Sequence, residues 1–170
     1  CLGRRALVCG GAQGVFEDVE RIIQKDDLVF ASNDVGMYLP RLDHWVTLHY
    51  AKMPHWRAIR DDAFSRQIGN TDYRTHSHGS ALAHFDWFGL TPIMPLSGLF
   101  AAQIAYLMGC NPIILVGCPN DQPPRFFETG AIEGYATVQK TIRSEMAFKP
   151  EFKKAIRSVS GWTKEFFGEP

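Results

Sequence analysis

Ser97–Gly117, SGLFAAQIAYLMGCNPIILVG, is the stretch whose reading decides the fold. Leu99–Met108 is nearly all apolar and follows Pro95-Leu96-Ser97-Gly98, so it predicts a buried helix that Gly109 stops. Pro112–Val116 (PIILV) then predicts a strand that is apolar on both faces, as a central parallel strand must be. The strand ends at Gly117-Cys118-Pro119. A buried helix feeding a doubly buried strand is part of a βαβ arrangement, and the rest of the chain should repeat it.

Upstream, Arg5–Cys9 (RALVC) reads as a strand, followed by Gly10, Gly11 and Gly14. VFEDVERIIQK comes next, with Val15, Val19, Ile22 and Ile23 at helical spacing. Strand, glycine turn and helix open a βαβ unit. Asp27–Ala31 predicts a second strand ending at Ser32-Asn33-Asp34, His44–Leu48 a third, and Pro54–Arg66 a helix. Asn70–Ser80 is polar and rich in Thr, His and Ser, and reads as loop with a short strand near Tyr73. Trp45, Trp56, Phe85, Trp87 and Phe88 read as core and helix packing. Downstream, Ala131–Phe148 predicts a long helix, Ala155–Val159 an edge strand and Trp162–Phe167 a terminal helix. The expected architecture is α/β, a Rossmann-like three-layer fold with a mainly parallel sheet and right-handed crossovers, in a single domain over 1–170.

Composition narrows the function classes. Hydrophobic residues make up 45% and charged residues 21%, ordinary for a globular chain of 170 residues. Eighteen basic side chains balance eighteen acidic ones, without the basic surplus expected of a duplex nucleic-acid binder. Cys1, Cys9, Cys110 and Cys118 form no CxxC pair and no zinc-like cluster, which suits a reduced, cytoplasmic setting. No apolar run approaches the length of a membrane span, so no membrane partner is expected. A homo-oligomer is compatible with this composition. Beginning at Cys1, the sequence reads as starting inside a longer chain.

Ligands of open α/β sheets sit outside the carboxyl ends of the strands, and the unusual residues of this chain fall there. Gly10-Gly11-Ala12-Gln13-Gly14 lets backbone approach a ligand, although its spacing is neither the dinucleotide GxGxxG nor a Walker loop. A ligand-free tight turn would look the same. Asn33 and Asp34 can bond a ribose or base, and equally end a strand and cap a helix. Ser97-Gly98 can present N–H groups to phosphate, while Ser97 alone reads as a cap. Gly117, Asn120 and Asp121 follow the central strand. Asp121, His76 and His78 are the candidates for a catalytic base, with His84 or Asp86 as a less favoured third ligand of a histidine metal pair. His49 and Tyr50 lie at the carboxyl end of the third strand, where stacking or hydrogen bonding competes with plain packing. No Ser/His/Asp order and no G-x-S-x-G elbow is present.

The Ser97–Gly117 pattern, with Ser-Gly opening an apolar helix and a Gly-x-Asn turn leading to a strand ending in Gly, resembles the 6-hydroxymethylpterin diphosphokinase-like family and the bacterial sialyltransferases. The opening glycine turn and FASND resemble the same families' nucleotide-binding turns in the same order. The resemblance implies that Gly10, Gly11, Asn33, Ser97, Gly98 and Gly117 surround a nucleotide. Gly11-Ala12-Gln13-Gly14 replaces a Gly-x-Gly-Pro-Ser type of turn, Cys118-Pro119 delays the acidic residue to Asp121, and no histidine follows His84. The expected ligand is therefore a small anionic nucleotide or nucleotide-sugar, and the expected chemistry phosphoryl or glycosyl transfer. Magnesium is expected only on a diphosphate route. The competing expectation is a non-catalytic binding accessory, of a kind encoded by a virus or mobile element.

Overall fold

The computed structural model describes residues 2–64, 70–78, 85–89, 94–121, 124–127 and 134–170. Among the described residues, seven strands form one sheet: β1 (Ala6–Cys9), β2 (Leu28–Ser32), β3 (His44–Val46), β4 (Arg74–His78), β5 (Trp87–Gly89), β6 (Ile113–Val116) and β7 (Ile156–Ser158). Their order is β5-β4-β3-β2-β1-β6-β7, and every ladder is parallel. The chain runs outward from β1 to β5 and then returns to β6 on the other side. The switch in strand order therefore lies between β1 and β6.

Alternation along the central strands explains the layers. Ala6, Val8, Phe30, Ile113 and Leu115 enter one core with α3 (Ser97–Leu107), α4 (Tyr135–Ala147), α5 (Pro150–Ala155) and α6 (Gly161–Phe167). Leu7, Cys9, Val29, Ala31, Ile114 and Val116 enter the other with α1 (Val15–Ile22) and α2 (Met53–Phe64). β1 and β6 are buried on both faces, as their unbroken apolar runs require. The α/β fold with helices on both sides of a parallel sheet is the expected one.

Several elements differ from expectation. The short strand expected near Tyr73 within a loop is the longer β4, over Arg74–His78, and Trp87–Gly89 is an additional strand, β5. Polar side chains here are satisfied sideways: the Asp86 carboxylate accepts from the Thr75 N–H at 2.7 Å and from its hydroxyl at 2.9 Å. The long helix expected to Phe148 ends at Ala147, because Pro150 starts a new helix, α5, that runs directly into β7. β2 is followed by a 3₁₀ turn over Asn33–Met37. Residues 65–69, 79–84, 122–123 and 131–133 hold the remainder of some expected elements, with His84 and Pro123, and lie outside the described residues. No helix among the described residues is long and apolar enough to cross a membrane.

Candidate functional site

A cleft of about 370 Å³ opens at the carboxyl rim of the sheet, over the switch between β1 and β6. It is lined by Gly10, Gly11 and Ala12 after β1, by Ser32, Asn33 and Asp34 after β2, and by Leu48 and His49 after β3. Pro95–Leu99 contribute from the start of α3, Gly117–Asn120 from the exit of β6, and Pro124 and Arg125 from the segment beyond. Gly134, Tyr135 and Val138 complete it from the start of α4. Thus Gly10, Gly11, Asn33, Asp34, Ser97, Gly98, Gly117 and Asn120 share one cavity.

Gln13 and Gly14 are not in its lining. Gly14 instead begins α1 in the left-handed conformation, φ 80°. The first glycine turn also has fewer free donors than its sequence promised. Gly10 N–H donates to the Val116 carbonyl, Ala12 N–H to Gly117 and Gln13 N–H to Pro124, at 2.7, 3.1 and 3.0 Å. An isolated antiparallel bridge joins Ala12 to Arg125. The glycines serve close approach: a β-carbon on Gly10 would collide with Cys118 and the Gly117 carbonyl. This turn is a seam between β1 and β6 more than an anion cradle.

The helix starts supply the donors instead. Leu96 is the N-cap of α3, and its carbonyl accepts the first helical bond from Phe100 N–H at 2.8 Å. Ser97 is therefore not the cap, and its hydroxyl makes no hydrogen bond among the described residues. The N–H groups of Ser97, Gly98 and Leu99 have no helical acceptor, as first-turn amides do not. The N-terminus of α4 meets the same cleft, with Gly134 as its N-cap at φ 93° and no side-chain cap. Two uncapped helix ends converging on one cavity place partial positive charge there, worth about 0.3–1 kcal/mol each toward an anion when exposed and up to ~2 kcal/mol when partly buried.

Asn33 and Asn120 both line the cleft and both hold positive φ, 60° and 51°. Asparagine tolerates that region better than other residues with a β-carbon, but it still stores strain. Asn33 is held by two bonds: Trp45 Nε1 donates to its carbonyl at 2.5 Å, and the Thr47 hydroxyl donates to its Oδ1 at 2.8 Å while itself accepting the His49 N–H at 2.8 Å. With Oδ1 occupied, the Asn33 amide presents N–H donors. The fully buried Arg60 fixes the same turn from α2, donating to the Gly36 and Leu39 carbonyls at 2.6 and 2.9 Å.

Asp34 is 7% exposed and forms an ion pair with Arg125 at 3.1 Å. Arg125, with two-fifths of its side chain exposed, brings a cation to the cleft that a strand-by-strand sequence reading missed. Cys118 lines the cleft, but burial pushes its thiol up to about 12, so it is no nucleophile at neutral pH.

The expected base candidates sit elsewhere. Asp121 Oδ2 accepts the Trp162 N–H at 2.9 Å, tying the β6 exit to α6. His76 lies 2.9 Å from His44, Nε2 to Nδ1, in a second cavity of about 460 Å³ shared with Arg74, Asp86 and the end of α3. Burial, then His44, lowers the His76 pKa to about 4. His78 Nε2 faces the Leu48 carbonyl at 3.3 Å. None of the three lines the nucleotide-sized cleft. Among the described residues no three His, Cys, Asp or Glu side chains cluster in a metal-holding group.

Fold and cleft together define an open parallel α/β sheet with a ligand-sized crevice at its topological switch point. Among solved structures, the chain is similar in fold to the sialyltransferase CstII from Campylobacter jejuni in complex with cytidine-5'-monophosphate, with TM-score 0.65 and 13% identity over 99% of this chain and 86% of that one. The sialyltransferase CST-II in complex with a trisaccharide acceptor and CMP gives TM-score 0.65 and 13% identity over 98% and 86%. CstII with the substrate analogue CMP-3FNeuAc gives TM-score 0.61 and 13% identity over the same shares. No family model matches the sequence, and no curated protein matches it. At this identity the likeness speaks for the fold.

Proposed function

We propose that this protein binds a nucleotide-activated sugar in the carboxyl-rim cleft and transfers its glycosyl group. The observation that carries the proposal is the meeting of the α3 and α4 N-termini in one cavity with Asn33, Asn120 and Arg125. First-turn amides of Ser97, Gly98 and Leu99 would receive the phosphate, and Asn33 would donate to ribose or base. Solved structures of like fold carry CMP or a CMP-sugar analogue, which supports a CMP-type donor.

Phosphoryl transfer of the pterin diphosphokinase kind is the weaker reading. None of the solved structures of like fold named above points to it, and Asp34, the carboxylate lining the cleft among the described residues, is ion-paired with Arg125. A magnesium-held diphosphate uses one or two carboxylates beside phosphate oxygens, and among the described lining residues the Asp34 carboxylate is already held by Arg125. The accessory-protein reading draws on the placement of Asp121 and His76 outside the cleft. It predicts binding without turnover.

Titration with CMP, without metal, tests the proposal. CMP at about a hundred times its dissociation constant should add about 2.7 kcal/mol of stability. Asn33→Gly, which keeps the positive φ but removes the amide, should weaken CMP about tenfold, the loss of roughly one charge-free hydrogen bond. Absence of any stabilisation by CMP, CTP or ATP would remove the reading altogether.

A further inference from the structure

The proposed transfer needs a group that takes the acceptor's proton, and the residues expected to do so from sequence are placed outside the cleft. We propose that His49 is the general base of this reaction. The inference rests on the glycosyl-transfer reading given above.

Elimination starts it. Among the described residues, Asp34 is buried against Arg125, Cys118 stays a thiol, and Asp121, His76 and His78 lie outside the cleft. His49 is exposed, lines the cleft, and its ring makes no hydrogen bond among the described residues. Imidazole is also the side chain most often used for proton transfer in such steps.

Its position is built rather than incidental. The His49 N–H donates to the Thr47 hydroxyl at 2.8 Å, and that hydroxyl donates to Asn33 Oδ1 at 2.8 Å. One hydrogen-bonded run therefore sets both the residue that would hold the nucleotide and the residue that would face the acceptor. The Lys52 N–H closes the turn on the His49 carbonyl at 2.9 Å. β3 lies two strands from β1, so at roughly 4.8 Å per strand His49 stands about 10 Å across the rim from the glycine seam. That separation leaves room for a sugar ring between the glycine seam and the imidazole.

The step balances as follows. A His49 ring nitrogen accepts the proton of the acceptor hydroxyl while that oxygen bonds to the anomeric carbon. The bond from the anomeric carbon to the phosphate oxygen breaks, and its electron pair leaves with the nucleoside monophosphate. The charge gained by the phosphate falls against the first-turn amides of α3 and α4, which are already in place. His49 then returns its proton to solvent.

The experiment compares wild type, His49→Gln and His49→Ala for CMP binding by calorimetry and for CMP release from CMP-N-acetylneuraminate, with water or lactose as acceptor. Expected are unchanged CMP affinity, a fall in kcat of about 100-fold or more with little change in KM, and partial recovery of His49→Ala by added imidazole. Turnover that survives both substitutions would overturn the assignment and leave the transferase reading standing. A wild-type protein that binds CMP but releases none from the donor would overturn the assignment and favour the accessory reading. Failure of wild type to bind CMP would overturn both.

Discussion

Cys118 lines the cleft and packs against two of its glycines. Its sulfur would sit 2.9 Å from a β-carbon at Gly98, and a β-carbon at Gly10 would overlap it more severely. Both glycines therefore have a packing reason that needs no ligand, and they bring the β1 exit and the α3 start within reach of one cavity. Two effects compete in Gly98→Ala. Alanine is favoured over glycine in a helix by up to ~1 kcal/mol, less at the first turn. The overlap with sulfur costs about 1–3 kcal/mol unless the thiol yields. The thiol is wedged against Gly10 as well, so the clash should win and Gly98→Ala should be destabilised by roughly 1 kcal/mol. In a urea double-mutant cycle Cys118→Ala should relieve that loss, with a coupling of about 1 kcal/mol. Additive single effects would show that Gly98 answers to something other than Cys118.

At the scale of elements, the packing of β3 and β4 under the end of α3 carries a proton linkage. His44 stacks on Phe30 at 4.4 Å and pairs with His76, and both rings are buried. Burial, the larger cause, and nearby Arg74 hold His44 below its usual pKa, opposed by Asp43; burial and His44 bring His76 to about 4. A depressed folded pKa means that the unfolded chain binds more protons between about pH 4 and 6.5, so stability is full above that window and falls as pH drops through it. For His76 the loss is on the order of 3 kcal/mol. Urea midpoints from pH 7 to pH 4.5 should fall more steeply for wild type than for His76→Gln; parallel curves would refute the linkage. The same pair shows why only a short strand near Tyr73 was expected at this edge. Thr, His and Ser at 75–78 look like loop because their polarity is visible in sequence, whereas the Asp86 and His44 partners that make a strand tolerable are set by register. β1, β2, β6 and α3 were legible because burial on both faces leaves unbroken apolar runs. The cleft was legible where strands end in Gly and Asn. It was not legible at Arg125 and Tyr135, which reach it from segments with no strand-end signature, nor in the spent amides of the first turn.

For the molecule as a whole, strand order predicts how stability is distributed. β1 is paired on both sides with four-residue ladders and buried on both faces, while among the described residues β5 pairs only with β4. Native-state hydrogen exchange should therefore find its slowest amides in β1, β2 and β6 and faster ones in β5. CMP sharpens the test. Amides that exchange only through global unfolding slow by the common binding energy, RT ln(1 + [L]/Kd), wherever they lie. Amides that exchange through local opening slow only where the ligand touches. Ser97, Gly98, Leu99 and Gly11 at the carboxyl rim should thus slow beyond their apo rates, while fast amides near Arg74 and Asp86, lining the separate second cavity, should not. Equal slowing of fast amides at both places would mean that CMP binds at both. Slowing confined to the second cavity would move the ligand to the His44–His76 site and take the proposed chemistry with it.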